Sequence, residues 1–480
     1  MRRTSIGVVA VFLALGALTV SSISSTRRQL SLDPLAVVQT RLPQITGMVQ
    51  PGKSAVPIWT GSTVTMTTTF PEAEEFIAVN PANANNSVAV ISDFSLRKGS
   101  NTTKYAVSFN NGAAGTWFES FVPLVHDLPA TSDGRLWEFN SSPVVAVDKQ
   151  GYVYVSSLYF NVTSRSNGIY ACVGRFTCPD LAFSQGATYP VVSHLSPFAQ
   201  ITEDKPWLAV DNSDAPTSGT AYVSWTRFDQ SPGGQRASIL LSRSVDHGQT
   251  WSAPIRINSP QHNGAVQGSQ VAVGPKGEVY VVYEVFYLGN LRQQFLAKSA
   301  DGGATFSQPV PITPAFNEVN FASTYRKNSY PSLAVSPTNG HVYVVYADQP
   351  GAASGSEVEF VVSRDGGSTF SAPASVNKPS EGQQFMPALT ADSAGIIHVS
   401  WFDTRNSPQV TSSYDVYATS SSDGGVTFAP NIRVTAASID AGTASFIGDY
   451  GGIAASGGFA HPVWTSGGFN NGLLQTATLQ

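Results

Sequence analysis

Ser244-Val-Asp-His-Gly-Gln-Thr-Trp251 returns three times further along the chain. It recurs as Ser299-Ala-Asp-Gly-Gly-Ala-Thr-Phe306, Ser363-Arg-Asp-Gly-Gly-Ser-Thr-Phe370 and Ser421-Ser-Asp-Gly-Gly-Val-Thr-Phe428. The shared pattern is Ser-x-Asp-x-Gly-x-Thr-aromatic. Each residue type has a local reason. Glycine takes the positive φ of a tight turn. The carboxylates of Asp246, Asp301, Asp365 and Asp423 can accept bonds from the turn's own amides, and Ser and Thr can join them. The aromatic residue opens the next strand and can pack between sheets.

The repeat is longer than this box. Around the third copy the order is Pro331-Ser-Leu-Ala-Val335, Val342-Tyr-Val-Val-Tyr346, Val358-Glu-Phe-Val-Val362, then the box and Ser371-Ala-Pro. Such short runs, rich in β-branched and aromatic residues and separated by turn residues, read as strands. Four strands in about 60 residues make one blade of a β-propeller. The innermost-strand pattern occurs seven times, starting at Glu75, Pro143, Pro206, Ser269, Pro331, Pro387 and Gly451. The expectation is therefore an all-β, seven-bladed β-propeller of four-stranded antiparallel blades, with a six-bladed ring plus an ancillary sheet as the alternative. The last unit stops after Leu473-Leu-Gln-Thr-Ala-Thr, which leaves a strand edge open. Ser62-Thr-Val-Thr-Met-Thr-Thr-Thr69 alternates like a strand and is expected to close it.

The box resembles the Asp box of the sialidase-like β-propellers, also called the BNR repeat. The resemblance covers most of the chain as fold, and it implies that the boxes face away from any active site. A sialidase would need three arginines, a Tyr nucleophile paired with Glu, and an Asp acid/base. Here the resemblance weakens. The family's aromatic-Arg-Ile/Leu-Pro motif has only Thr40-Arg-Leu-Pro43 as a counterpart, without the aromatic residue and far ahead of the first blade.

The 480 residues include 42 Gly and 30 Pro, and 11% are aromatic, as suits an all-β chain with many turns. A net charge of −5 provides no basic footprint for nucleic acid. Residues 1–25 read as a signal peptide: Arg2 and Arg3, then the apolar Ile6–Val20, then small serines. Residues 26–55 read as a linker or wrap, and 56–480 as the propeller. The expectation is a secreted or periplasmic monomer with no membrane segment after signal removal. Cys172 and Cys178 are the two cysteines. They flank the turn where the second unit lacks a box, so a disulfide is expected to staple it. Asn85, Asn101, Asn140 and Asn161 each begin a glycosylation sequon.

In antiparallel blades, loops alternate between faces, so ligand groups should lie opposite the boxes. The position just before each inner-strand pattern holds Glu74, Ser142, Lys205, Gly268, Tyr330, Met386 and Tyr450. The position before that holds Ala73, Ser141, Asp204, Gln267, Ser329, Phe385 and Asp449. These rings should line the channel mouth. Candidate catalytic residues are Asp204, Asp449, Tyr450 and Glu138, with Glu203 a second partner for the tyrosine. Candidate ligand contacts are Arg326, Arg405, Lys205, Trp207 and Tyr330, because arginine forks suit carboxylates and aromatic rings suit sugar faces. No cofactor is expected: His126, His194 and His262 have no metal-ligand spacing, and a structural calcium stays open although no loop carries a clear acidic ligand run. Three functions stay open: binding of glycans or another extracellular ligand without turnover, glycoside hydrolysis of the sialidase type or by an Asp/Glu pair, and a protein-interaction propeller.

Overall fold

The computed structural model describes residues 63–68, 72–93, 103–122, 137–162, 164–177, 180–195, 200–232, 236–351, 355–377, 382–443, 446–467 and 472–479. They form seven antiparallel sheets, one per blade. Blade 3 shows the plan. Ile201–Val210 is the inner strand, followed outward by Ala221–Asp229, Arg236–Ser244 and the short Ile255–Arg256. Each inner strand packs on the next, and that of blade 7 (Gly452–Ser456) packs on that of blade 1 (Glu72–Val79). The ring of seven is thus closed, and the six-bladed alternative is excluded.

Closure comes from the start of the chain. Val64–Thr65 is the outermost strand of blade 7, with Val64 opposite Thr476 and Thr65 opposite Gln475. The Met66 amide donates to the Leu474 carbonyl at 2.9 Å. Residues 1–62, with the signal and linker expectations, lie outside the described residues.

Second strands are buried on both faces because blades stack face to face. Every residue of Val279–Phe286 is buried, so apart from Glu284 the strand reads as an apolar run rather than an alternation. Trp225, Trp401 and Trp464 are fully buried in blades 3, 6 and 7. Their indole N–H groups donate to Glu203 at 2.7 Å, Asp403 at 2.8 Å and Gln475 at 3.1 Å.

All four intact boxes build the same turn. In blade 4 the Ser299 hydroxyl donates to Asp301 at 2.7 Å and the Thr305 hydroxyl at 2.6 Å, while the Gly303 amide donates to Ser299 at 2.8 Å. The Thr305 hydroxyl and amide, followed by Ser299, hold the Asp301 carboxyl well below the usual range. The boxes are also linked in series. Arg243 donates to the Gly302 carbonyl, Lys298 to Gly366 at 2.9 Å and Arg364 to Gly424 at 3.2 Å, each reaching the box of the following blade.

The worn copy in blade 1 has no Asp. Ser108 instead meets Thr116 directly at 2.8 Å and accepts from the Gly112 amide at 3.2 Å. Cys172 is buried in the third strand of blade 2, and Cys178 lies outside the described residues, as does the expected pairing. Two sequons need correction as glycan carriers: Asn140 and Asn161 are buried, and Asn161 accepts the Glu138 amide at 2.8 Å. Asn85 is exposed. Among the described residues no helix is long and apolar enough to cross a membrane.

Candidate functional site at the axial mouth

A backbone device builds the mouth. Inner strands of five blades carry a β-bulge, between Ala73 and Phe76, Ser141 and Val144, Asp204 and Trp207, Gln267 and Gln270, and Phe385 and Ala388. Within each bulge sits the residue just before the inner-strand pattern. Glu74, Ser142, Lys205, Gly268 and Met386 all have left-handed φ, between 47° and 69°. Bulges re-aim side chains, and left-handed non-glycine residues concentrate at functional sites. Blades 5 and 7 differ: their inner strands begin later, at Ser332 and Gly452, and place Tyr330 and Tyr450 at the equivalent positions. Gly268 has to be glycine, since a Cβ there would lie 2.4 Å from the Tyr330 ring.

The bulges bring distant residues into one polar cluster. Asp449 is its hub. Arg326 approaches it at 2.6 Å, Lys205 Nζ bonds its other oxygen, and Asn328 donates to its backbone carbonyl at 2.7 Å. Asp204 accepts the Lys205 amide at 2.8 Å and lies 3.5 Å from Nζ. Glu74 accepts from Ser141 at 2.6 Å, from the Ser142 amide at 2.9 Å and hydroxyl at 3.1 Å, and from Ser92 at 3.2 Å. Arg326 also lies over the Phe446 ring at 4.6 Å. Trp207 meets Tyr450 edge-on at 5.6 Å and Phe76 at 4.8 Å.

These groups are almost fully withdrawn from water. Asp449 and Lys205 are each 2% exposed, whereas Tyr450 and Tyr330 reach 8% and 9%. Burial separates the acids. It pushes Asp204 and Glu74 upward, with the Asp449 charge adding to both, while Lys205 partly offsets the effect at each. Asp449 goes the other way: burial opposes its charge, but Arg326 and Lys205 outweigh it and hold the carboxyl low. Tyr450 is pushed well above the usual phenol range by burial, then by Asp449, Glu74 and Asp204. Its hydroxyl is buried with no hydrogen-bond partner among the described residues. A site with one carboxylate held ionised, two carboxyls biased toward the protonated form and an unengaged phenol can donate hydrogen bonds or protons, and can stabilise positive charge.

Of the residues expected to act together, Asp204, Lys205, Trp207, Arg326, Tyr330, Asp449 and Tyr450 share this cluster. Arg405 does not. Its fork closes on Asp403 at 2.9 and 2.6 Å, over the Tyr417 ring at 4.1 Å. Glu138 accepts the Val162 amide at 3.2 Å at the edge of blade 2. Glu203 neighbours Asp204 in a strand and so points away from it. It accepts from Trp225, from Arg227 at 2.8 Å and from His194 at 2.7 Å. Glu74 was named in the ring but not as a candidate. Glu284 was missed: it is fully buried, and burial and then Glu318 push it up to about 8. The available signal was an acid inside the otherwise apolar strand Val279–Phe286. Among the described residues no group of three or more His, Cys, Asp or Glu is placed to hold a metal ion.

Comparison with solved structures bears on the fold alone, a β-propeller. A saccharide-bound polysaccharide lyase of family PL25, an ulvan lyase, is similar with a TM-score of 0.50 and 11% identity, over 87% of this chain and 98% of that one. The Hadza microbial sialidase Hz136 gives 0.48 and 16%, over 78% and 73%. The GH93 α-L-arabinofuranosidase of Fusarium graminearum, in complex with arabinobiose, gives 0.48 and 10%, over 88% and 98%. No protein-family model and no curated protein sequence matches the chain.

Proposed function

We propose that this chain is an exported propeller that binds carbohydrate at the axial mouth, on the face opposite the Asp boxes. The observation that carries the reading is the Tyr450 hydroxyl, buried beside Glu74, Asp204 and Asp449 with no partner among the described residues. An unmade buried hydrogen bond costs about 1–3 kcal/mol, which a ligand hydroxyl would recover. The rings of Tyr330, Tyr450 and Trp207 supply apolar faces beside these polar groups, the combination that a sugar presents in reverse. The ulvan lyase of similar fold is described with a bound saccharide, and the same ligand class is proposed for this chain. Arg2, Arg3 and the apolar Ile6–Val20 support export.

A glycan array tests the reading with the wild-type chain and Tyr450→Phe. Binding to a saccharide class, weakened at least about tenfold in the variant (about 1.4 kcal/mol), is the expected result. Wild-type protein that binds no saccharide overturns it.

A second reading, glycoside hydrolysis, is favoured by the opposed shifts of the acids. Asp204 would donate the proton and the ionised Asp449 would stabilise positive charge. Aryl glycosides and a fluorogenic sialoside test turnover. Hydrolysis that disappears in Asp204→Asn supports it; no turnover on any substrate sinks it.

A further inference from the structure

We infer that the ligand of the axial mouth is an oligosaccharide, and that a neutral sugar unit of it lies in a cleft between blades 5 and 6. This inference rests on the carbohydrate reading of the mouth. The cleft has a volume of about 240 Å³, and its walls include Phe321, Tyr325, Gln383, Pro408, Gln409 and Val410. That is below the roughly 300–1,000 Å³ of pockets for drug-sized ligands, a size suited to one sugar ring.

Three loop segments meet here. Phe321 and Tyr325 precede the inner strand of blade 5, Ser332–Val335. Gln383 immediately precedes that of blade 6, Gln384–Ala391. Pro408 to Val410 lie in the loop from Ile397–Asp403 to Ser413–Ser421. All three segments belong to the mouth face. The cleft also adjoins the polar cluster through the chain itself: Tyr325 is followed by Arg326, and Tyr325 stacks at 5.6 Å on Phe385, which precedes the bulge residue Met386.

The walls are fixed before any ligand arrives, which lowers the ordering cost of binding. Lys327 donates to the Phe321 carbonyl at 2.6 Å and sits 5.1 Å above its ring. The Tyr325 hydroxyl donates to Ser413 at 3.2 Å. The Thr324 amide donates to the Thr411 carbonyl at 3.0 Å, tying the blade 5 segment to the blade 6 loop.

The lining then specifies the ligand. Phe321 is half-buried and offers an aromatic wall, while Val410, 50% exposed, and Pro408 offer an aliphatic one. Gln383 Oε1 accepts the Ser356 amide at 3.0 Å, which orients its Nε2 as a donor. Gln409 is exposed and adds a second amide. Among the described residues no acid or base lines the cleft. Apolar faces with amides at the rim fit the C–H face and hydroxyl edge of an uncharged sugar, in contrast to the charged mouth beside it.

The test is an array of mono- to hexasaccharides of neutral, aminated and uronic-acid sugars, followed by calorimetric titration of the tightest binder and its shorter fragments. Phe321→Ala and Gln409→Ala are compared with the wild type, and Gln409→Trp fills the cleft from an exposed position should Phe321→Ala fail to fold. Expected is a gain of about tenfold or more from the added sugar unit in the wild type, lost in the variants, with binding of the shortest fragment unchanged. A wild type that binds monosaccharides as tightly as longer chains, or variants that bind every length equally well, overturns the cleft while leaving the mouth reading intact. No binding to any saccharide overturns the mouth reading itself, and the cleft with it.

Discussion

Arg326 and Asp449 meet at 2.6 Å across the axial mouth, joining the entrance of blade 5 to that of blade 7. With Lys205 from blade 3 on the other carboxylate oxygen, one buried aspartate connects three of the blades. Breaking a buried pair from one side strands a charge, at a cost of about 3–5 kcal/mol. Because Lys205 remains, Arg326→Met should fall at the lower end, about 3 kcal/mol in urea unfolding. Adding Asp449→Asn should recover part of that loss. Strict additivity of the two changes would show that the pair is not coupled.

Tyr450→Phe should act in the opposite direction. Removing a buried hydroxyl that has no partner among the described residues leaves stability unchanged or raises it by about 1 kcal/mol. Saccharide binding should fall at the same time. A stability loss above about 1 kcal/mol would mean that the hydroxyl serves the fold.

Stability should decline from pH 6.5 to pH 8.5. Glu75 accepts from Thr465 at 2.7 Å, and burial pushes it up to about 8; Glu284 is likewise pushed to about 8. Unfolded, each would ionise near its ordinary value of 4.5. Between 4.5 and about 8 the folded chain holds protons that the unfolded chain has released, so their stabilisation is complete below that window and lost as pH rises through it. His461, pushed down to about 4 by burial, opposes the decline only near its ordinary 6.5, where the unfolded ring still carries part of its proton. The Glu75→Gln, Glu284→Gln double variant should flatten the profile of Tm against pH over this range.

Gly425→Ala should cost at least about 2 kcal/mol, since the added Cβ would meet Phe360 at 2.3 Å with φ at +82°. Gly458→Ala has the same φ but nothing within 4 Å, so it isolates the backbone strain, about 1 kcal/mol. Urea midpoints of the two variants measure the difference directly. Equal midpoints would remove the packing argument for the box of blade 6.

Periodicity made the ring legible. The Val-Tyr-Val-Val-Tyr runs and the boxes recur because every blade solves the same packing problem, so counting inner-strand patterns counts blades. The same alignment identified the mouth positions, since a fixed offset from a repeated strand is a fixed place in a propeller. What it did not carry was direction within the bulges. Glu203 and Asp204 are adjacent in sequence, yet one turns to Trp225 and Arg227 and the other to Lys205. Arg405 looked as available as Arg326, but Asp403 two residues earlier captures its fork. Which acid a given arginine meets depends on loop conformation, and spacing within one repeat does not encode it.

The pairing of Val64 with Thr476 also fixes an order of events. A ribosome produces Val64 before blade 1 and Thr476 only with blade 7. Until the last blade emerges, the first segment has no sheet to join and blade 7 has no outer edge. Such a contact spans all seven blades, the kind that forms slowly because a long loop must close first. Six blades can assemble as they are made, but the ring, and with it the shared cluster at its axis, becomes complete only once blade 7 has emerged. A chain truncated at its final strand would therefore lose the site along with the seam.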